Sequence, residues 1–150
     1  MARRVRAVGP ADLLASKLVL DAEPLSLLAD DDRRMNLILD LAQKDGYAPV
    51  VSAVSIAEVR RHGKAGERLR WLRSRIDVLP VTESIAERAA KLLEDAGLDG
   101  HDNVVDAIVV ATAAAVGGPV KVASTDGSHV PKLCRAASLD RRSPVEWVRI

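Results

Sequence analysis

Short apolar runs, each four to six residues long and all but the last followed by a stretch with helical spacing, set the tightest limit on how this chain folds. They are KLVL at 17–20 closing on Asp21, Ala48–Val51 closing on Ser52, Ile76–Val81, Lys121–Ser124 and Val145–Val148. The clearest of them are apolar without alternation, which suits strands covered on both faces, as in a parallel sheet. Between the runs, Pro24 opens a short helix through Ala29, and Leu37, Ile38 and Leu41 recur at helical spacing in Arg33–Lys44. Further helices are expected from Ser52 through Arg61, over Gly66–Arg75 and over Ser84–Ala96 behind a Thr82 cap. Asp102 or Asn103 is expected to cap an apolar helix running through Val116, and a short helix covers Val130–Leu133. The run Asp30–Asp32 sits before the second helix, where acids complement the dipole. Strands alternating with helices imply an α/β fold: a mainly parallel sheet with helices on both faces.

With 150 residues and 48% apolar content, the chain has room for one packed domain. Residues 1–15 show no period and read as an N-terminal extension; residues 16–150 form the domain. Only 2% of residues are aromatic, which argues against modules that stack bases on aromatic platforms. The net charge is +1, so any basic surface is local. It lies in Arg60, Arg61, Lys64, Arg68, Arg70, Arg73 and Arg75, opposed only by Glu67. The lone Cys134 fits a reducing compartment. Arg3, Arg4 and Arg6 are followed by Gly9, Pro10 and Asp12, not by the apolar stretch of a signal peptide. No stretch approaches the ~20 apolar residues of a membrane span, so a cytoplasmic location is expected.

Four acids stand where a parallel sheet would place a site. Asp21 ends the first strand and Asp126 follows the fourth; ligands gather beyond the carboxyl ends of such strands. Glu58 lies in the helix after the second strand. Asp106 is the single charge in NVVDAIVVATA, and no Lys or Arg follows it before Val120. A half-buried carboxylate needs a partner, and a divalent cation is a natural one. Two carboxylates ~5 Å apart repel by roughly 3 kcal/mol at an effective dielectric of ~20. Oxygen ligands suit Mg²⁺ or Mn²⁺, and one Cys with scattered His62, His101 and His129 gives no zinc spacing. Structural roles stand beside these. Asp21 could cap the following helix, Glu58 could form a capping box with Ser55, and Asp126 could be a turn residue. Asp102, four residues before Asp106, is either a cap or an accessory metal ligand.

With these residues set out, the chain from Lys17 to Val148 resembles the PIN-domain ribonucleases, in particular the toxins of VapBC toxin–antitoxin pairs. KLVLDAEPLSLL resembles the first block with its leading Asp, and VVSAVSIAEVRR the second, with Ser52, Ser55 and Glu58 in order. VVDAIVVATA resembles the third, and VASTD the fourth, with Ser124 two residues before Asp126. The resemblance implies a three-layer α/β/α PIN-like domain that hydrolyses RNA phosphodiesters with Mg²⁺ or Mn²⁺. It implies Asp21 and Asp106 as direct ligands, with Glu58 and Asp126 as ligands directly or through water. Ser124, Arg60, Arg61, Lys64 and Arg68 become candidates for contact with the substrate. A cognate antitoxin filling the cleft and a homodimer are implied as partners, with Leu37, Ile38, Leu41, Leu92 and Leu93 available either to a dimer or to the core. The sequence departs from the pattern at Ala22, where Ser or Thr is usual, and at Gly127–His129, where a further acid is common. His129 is read as a phosphate contact or as a surface residue. Alternative readings are a processing nuclease without an antitoxin, a PIN-like module that only binds RNA or protein, and a haloacid dehalogenase-type phosphatase. The last would want Asp-x-Asp where the chain has Asp21-Ala22-Glu23.

Overall fold

The strand β1 (Lys17–Leu20) is buried almost throughout, and its neighbours on both sides explain why its sequence is apolar without alternation. In the computed structural model, which describes residues 15–150, β1 pairs in parallel with β2 (Ala48–Ser52) and with β4 (Val120–Ser124). Two outer strands, β3 (Asp77–Leu79) and β5 (Val145–Arg149), complete an all-parallel sheet in the order β3-β2-β1-β4-β5. The extension expected at 1–15 lies, but for its last residue, outside the described residues.

Side chains alternate across the sheet into two cores. Leu18, Leu20, Val51 and Ala123 face one layer, built from α1 (Ala22–Ala29), α2 (Arg33–Lys44) and α4 (Gly63–Arg75). Val19, Val50 and Val122 face the other, built from α5 (Glu83–Ala96), α6 (Gly100–Ala114) and α7 (Val130–Ser138). The domain is therefore a three-layer α/β/α sandwich. Leu92 and Leu93 belong to the second core, whereas Leu37 and Leu41 are 57% and 52% exposed. Among the described residues no helix is long and apolar enough to cross a membrane.

Several boundaries differ from expectation for local reasons. Helix α1 starts at Ala22 because Asp21 accepts a hydrogen bond from the Ala22 N–H. Pro24 then falls in the first turn, where its missing N–H costs nothing. Only Asp32 of the acidic run caps α2, accepting from the Met35 N–H. The short helix α3 (Ala53–Glu58) is capped by Ser52, so the Ser55–Glu58 capping box does not form, and the helix stops at Glu58 instead of Arg61. Gly63 takes φ +62° and opens α4. Gly66 is required there, since a Cβ would stand 2.8 Å from the Arg61 carbonyl oxygen. Helix α6 begins at Gly100, capped by Asp99 rather than by Asp102 or Asn103. Helix α7 extends to Ser138, well past Leu133.

The chain runs from β1 outward to β3 on one side, then crosses to β4 on the other. The carboxyl ends of β1 and β4 therefore flank the point where the winding reverses, the usual place for a ligand crevice in such sheets.

Candidate metal centre

Asp21, only 9% exposed, leaves the end of β1 at this point. Its Oδ1 accepts from the Ala22 N–H at 2.8 Å and its Oδ2 from the Ser124 hydroxyl, also at 2.8 Å. Ser124 is fully buried, and its Oγ in turn accepts from the Asp126 N–H at 3.1 Å. One hydroxyl thus donates to one acid and fixes the backbone of another, across the two strands of the switch point. Ser124→Ala is expected to leave the Asp21 Oδ2 and the Asp126 N–H without these partners. Urea unfolding should show a loss of ~1–3 kcal/mol. An unchanged midpoint would mean that the two groups find other partners.

Asp126 lies past β4 and folds the loop around its own carboxylate. Oδ1 accepts from the N–H groups of Ser128 and His129 at 2.8 and 2.9 Å. Oδ2 lies 3.0 Å from Nδ1 of His129. Partial burial works against its charge, but these donors prevail and hold Asp126 below the ordinary carboxylate range.

Asp106, in the second turn of α6, has the opposite environment. Among the described residues no backbone, hydroxyl or basic side-chain donor is hydrogen-bonded to it, and its hydrogen-bonding neighbour is the carboxyl of Asp126. Burial first, then the charges of Asp21 and Asp126, push it up to about 7, against a smaller opposing pull from His129. Glu58, the last residue of α3, is also raised, by burial and then by the charge of Asp21. Asp21 thus acts on both Glu58 and Asp106, and Asp126 acts on Asp106, so the four acids form one electrostatic group. Ligand atoms of Asp106, Asp126 and His129 all lie within 4.8 Å of one another. A cluster of oxygen donors with one imidazole, in which no Lys or Arg among the described residues pairs with Asp106, fits a small divalent cation.

The remaining sequence candidates sit around this group. Asp102 is exposed in the first turn of α6 and is not among the charges acting on Asp106. Arg60 and Lys64 are exposed and form no ion pair among the described residues. Arg61 is held by Asp30 through Nε at 2.8 Å and Nη2 at 3.0 Å. Arg68 donates to the Leu28 carbonyl oxygen at 2.7 Å and lies 3.1 Å from Asp31. The sequence reading treated Asp30 and Asp31 as helix-start acids and so missed them as counter-charges. His129 is the other residue undervalued there; its spacing of three from Asp126 across Gly127 and Ser128 is the signal that points to the contact.

Comparisons with known proteins agree with this architecture. The family model of the PIN domain matches residues 18–133. No curated protein matches the sequence. Among solved structures, VapBC2 of Rickettsia felis, bound to a DNA fragment from its promoter, shares 14% identity at a TM-score of 0.64, covering 89% of this chain and 98% of that one. A toxin–antitoxin complex from Klebsiella pneumoniae shares 21% identity at a TM-score of 0.60, covering 75% and 89%. VapBC-1 of nontypeable Haemophilus influenzae shares 14% at 0.59, covering 88% and 96%. Since the family match runs from β1 to the first turn of α7, and takes in Asp21, Glu58, Asp106, Ser124 and Asp126, the chain belongs to the PIN domain family.

Proposed function

We propose that this chain is a metal-dependent ribonuclease and the toxin of a toxin–antitoxin pair, acting in the cytoplasm. The observation that carries this is Asp106: a half-buried carboxylate that feels the charges of Asp21 and Asp126 and, among the described residues, pairs with no Lys or Arg. Asp21 and Asp106 would hold a Mg²⁺ or Mn²⁺ ion directly, with Glu58 and Asp126 completing the set directly or through water. When bound, such an ion acidifies water and screens charge developing on a phosphoryl group. Ser124 keeps Asp21 aimed by donating to it. Glu58, raised by burial and by Asp21, is the carboxylate best suited to take a proton from the attacking water.

The test is cleavage of single-stranded RNA by the purified chain with Mg²⁺ or Mn²⁺. Turnover should vanish in EDTA and return with excess metal. Cleavage that persists unchanged in EDTA would overturn the assignment.

Of the four basic candidates, Arg60 and Lys64 form no ion pair among the described residues and can meet phosphates, while Arg61 and Arg68 are engaged by Asp30 and Asp31. Each phosphate contact contributes about 0.7 to the slope of log K against log salt for a single strand. Replacing both Arg60 and Lys64 by Ala should flatten that slope by about 1.4. An unchanged slope would remove them from the RNA footprint.

The three solved neighbours are toxin–antitoxin assemblies, which supports an antitoxin partner here. Its C-terminal segment would fill the crevice, with an Arg or Lys among the carboxylates. For a homodimer, burial of Leu92 and Leu93 leaves Leu37 and Leu41 of α2 as the apolar contributors.

A further inference from the structure

We propose that His129 is a nitrogen ligand of this metal centre and gives it a preference for Mn²⁺ over Mg²⁺. The inference rests on the nuclease reading only in requiring that a cation binds. Its basis is the way the loop after β4 holds the ring. One ring nitrogen of His129 lies within 4.8 Å of carboxylate oxygens of both Asp106 and Asp126. The ring is fixed by its Nδ1, 3.0 Å from Asp126 Oδ2. An ionised carboxylate can only accept, so Nδ1 carries the hydrogen and donates it. When a cation binds, either Nε2 or, on loss of the shared hydrogen, Nδ1 offers it a lone pair. A carboxylate holding the far N–H of an imidazole is the usual way a metal-binding histidine is oriented and made more basic. Asp126 is well suited to that work, because the N–H groups of Ser128 and His129 already occupy its Oδ1 and keep it ionised. A merely structural histidine needs none of this: as the residue before α7, His129 makes no side-chain cap to the helix.

An all-oxygen set suits Mg²⁺, whereas an imidazole nitrogen raises affinity for first-row transition ions. The experiment uses the full-length chain with Mn²⁺ and Mg²⁺ alone, without RNA. Wild type is expected to bind Mn²⁺ at least about tenfold more tightly than Mg²⁺ by calorimetry. Pulsed electron paramagnetic resonance of bound Mn²⁺ should show modulation from a directly coordinated imidazole nitrogen. His129→Ala should abolish that modulation and cut Mn²⁺ affinity by about tenfold while leaving Mg²⁺ affinity within about twofold. His129→Asp, which restores an all-oxygen set, should lose the modulation and reverse the preference towards Mg²⁺. Circular dichroism identifies a variant that fails to fold, and the nitrogen signal in wild type decides the matter without any variant. Mn²⁺ bound with no nitrogen modulation, or a Mn²⁺ preference retained in both folded variants, overturns this inference and leaves the nuclease reading standing. Binding of neither ion by wild type overturns both.

Discussion

Asp106→Asn is expected to abolish RNA cleavage and, in the absence of metal, to make the protein more stable. Both effects come from the same environment. The carboxyl of Asp106 is pushed up to about 7 by burial and by the charges of Asp21 and Asp126. Its folded-state value stands above the unfolded one, so the fold holds the proton more tightly than the unfolded chain does. The stabilisation from that proton is fully present below about pH 4 and is lost as pH rises through about 7. At pH 8 no Lys or Arg among the described residues pairs with the ionised group. Asn keeps the shape and removes the charge. The metal-free variant should gain ~1–2 kcal/mol at pH 8, discounted for the part of the side chain that water reaches. That corresponds to roughly 2–8 °C in thermal midpoint for a chain of this size. At pH 4 the two proteins should melt together. Cleavage should fall on the order of 10³-fold, since loss of a ligand removes several kcal/mol of transition-state stabilisation. A variant that is both less stable at pH 8 and still active would show that Asp106 is an ordinary partnered carboxylate. Added Mn²⁺ should reverse the order, raising the wild-type midpoint above that of the variant.

How much of this was legible beforehand depends on whether local or distant groups decide the matter. The central strands were legible because burial on both faces leaves no polar position in Leu18–Leu20 or in Val50–Val51. The edge strand β3 was legible only in part: Asp77 is exposed at its start, and just three residues pair. The layer order followed from alternation alone, but the strand order did not. Helix ends were the least legible feature. The stop of α3 at Glu58 depends on Val59 turning extended into the core, a tertiary event. The helix expected through Val116 closes at Ala114, and Arg141 binds the carbonyls exposed there, donating to Ala114 and Val116 at 2.6 Å each. Nothing in the local sequence announces a partner more than twenty residues away.

The site shows the same division. Asp21 and Asp126 were legible from their place at strand ends, and Asp106 from being a charge in an apolar helix. What could not be read was the hydroxyl of Ser124 joining Asp21 to the Asp126 backbone, because the adjacency of β1 and β4 creates it. The basic stretch was over-read for a related reason. Arg61 and Arg68 look like free cations until α1 brings Asp30 and Asp31 beside them.

Cation affinity should follow the protonation of Asp106. A metal must displace the proton this side chain holds up to about 7, so proton and cation compete for one group. Below that value the apparent association constant should fall about tenfold per pH unit, and above it the constant should level off. Between pH 7 and pH 5 the loss is thus about 100-fold from this group alone. Asp126 adds little to the slope there, because its backbone donors hold it below the ordinary carboxylate range. Any proton competition at His129 is separated by repeating the titration in His129→Ala, where the slope due to Asp106 should remain near one. Calorimetry in two buffers of different ionisation enthalpy reads the same event directly as protons released on binding: about one at pH 6, falling towards none at pH 8. Asp106→Asn should bind weakly and, in the His129→Ala background, with almost no pH dependence over this range. Affinity that stays flat from pH 5.5 to 8 in the His129→Ala protein would mean that Asp106 is already ionised without a cation. The charge repulsion that makes the metal necessary would then be absent.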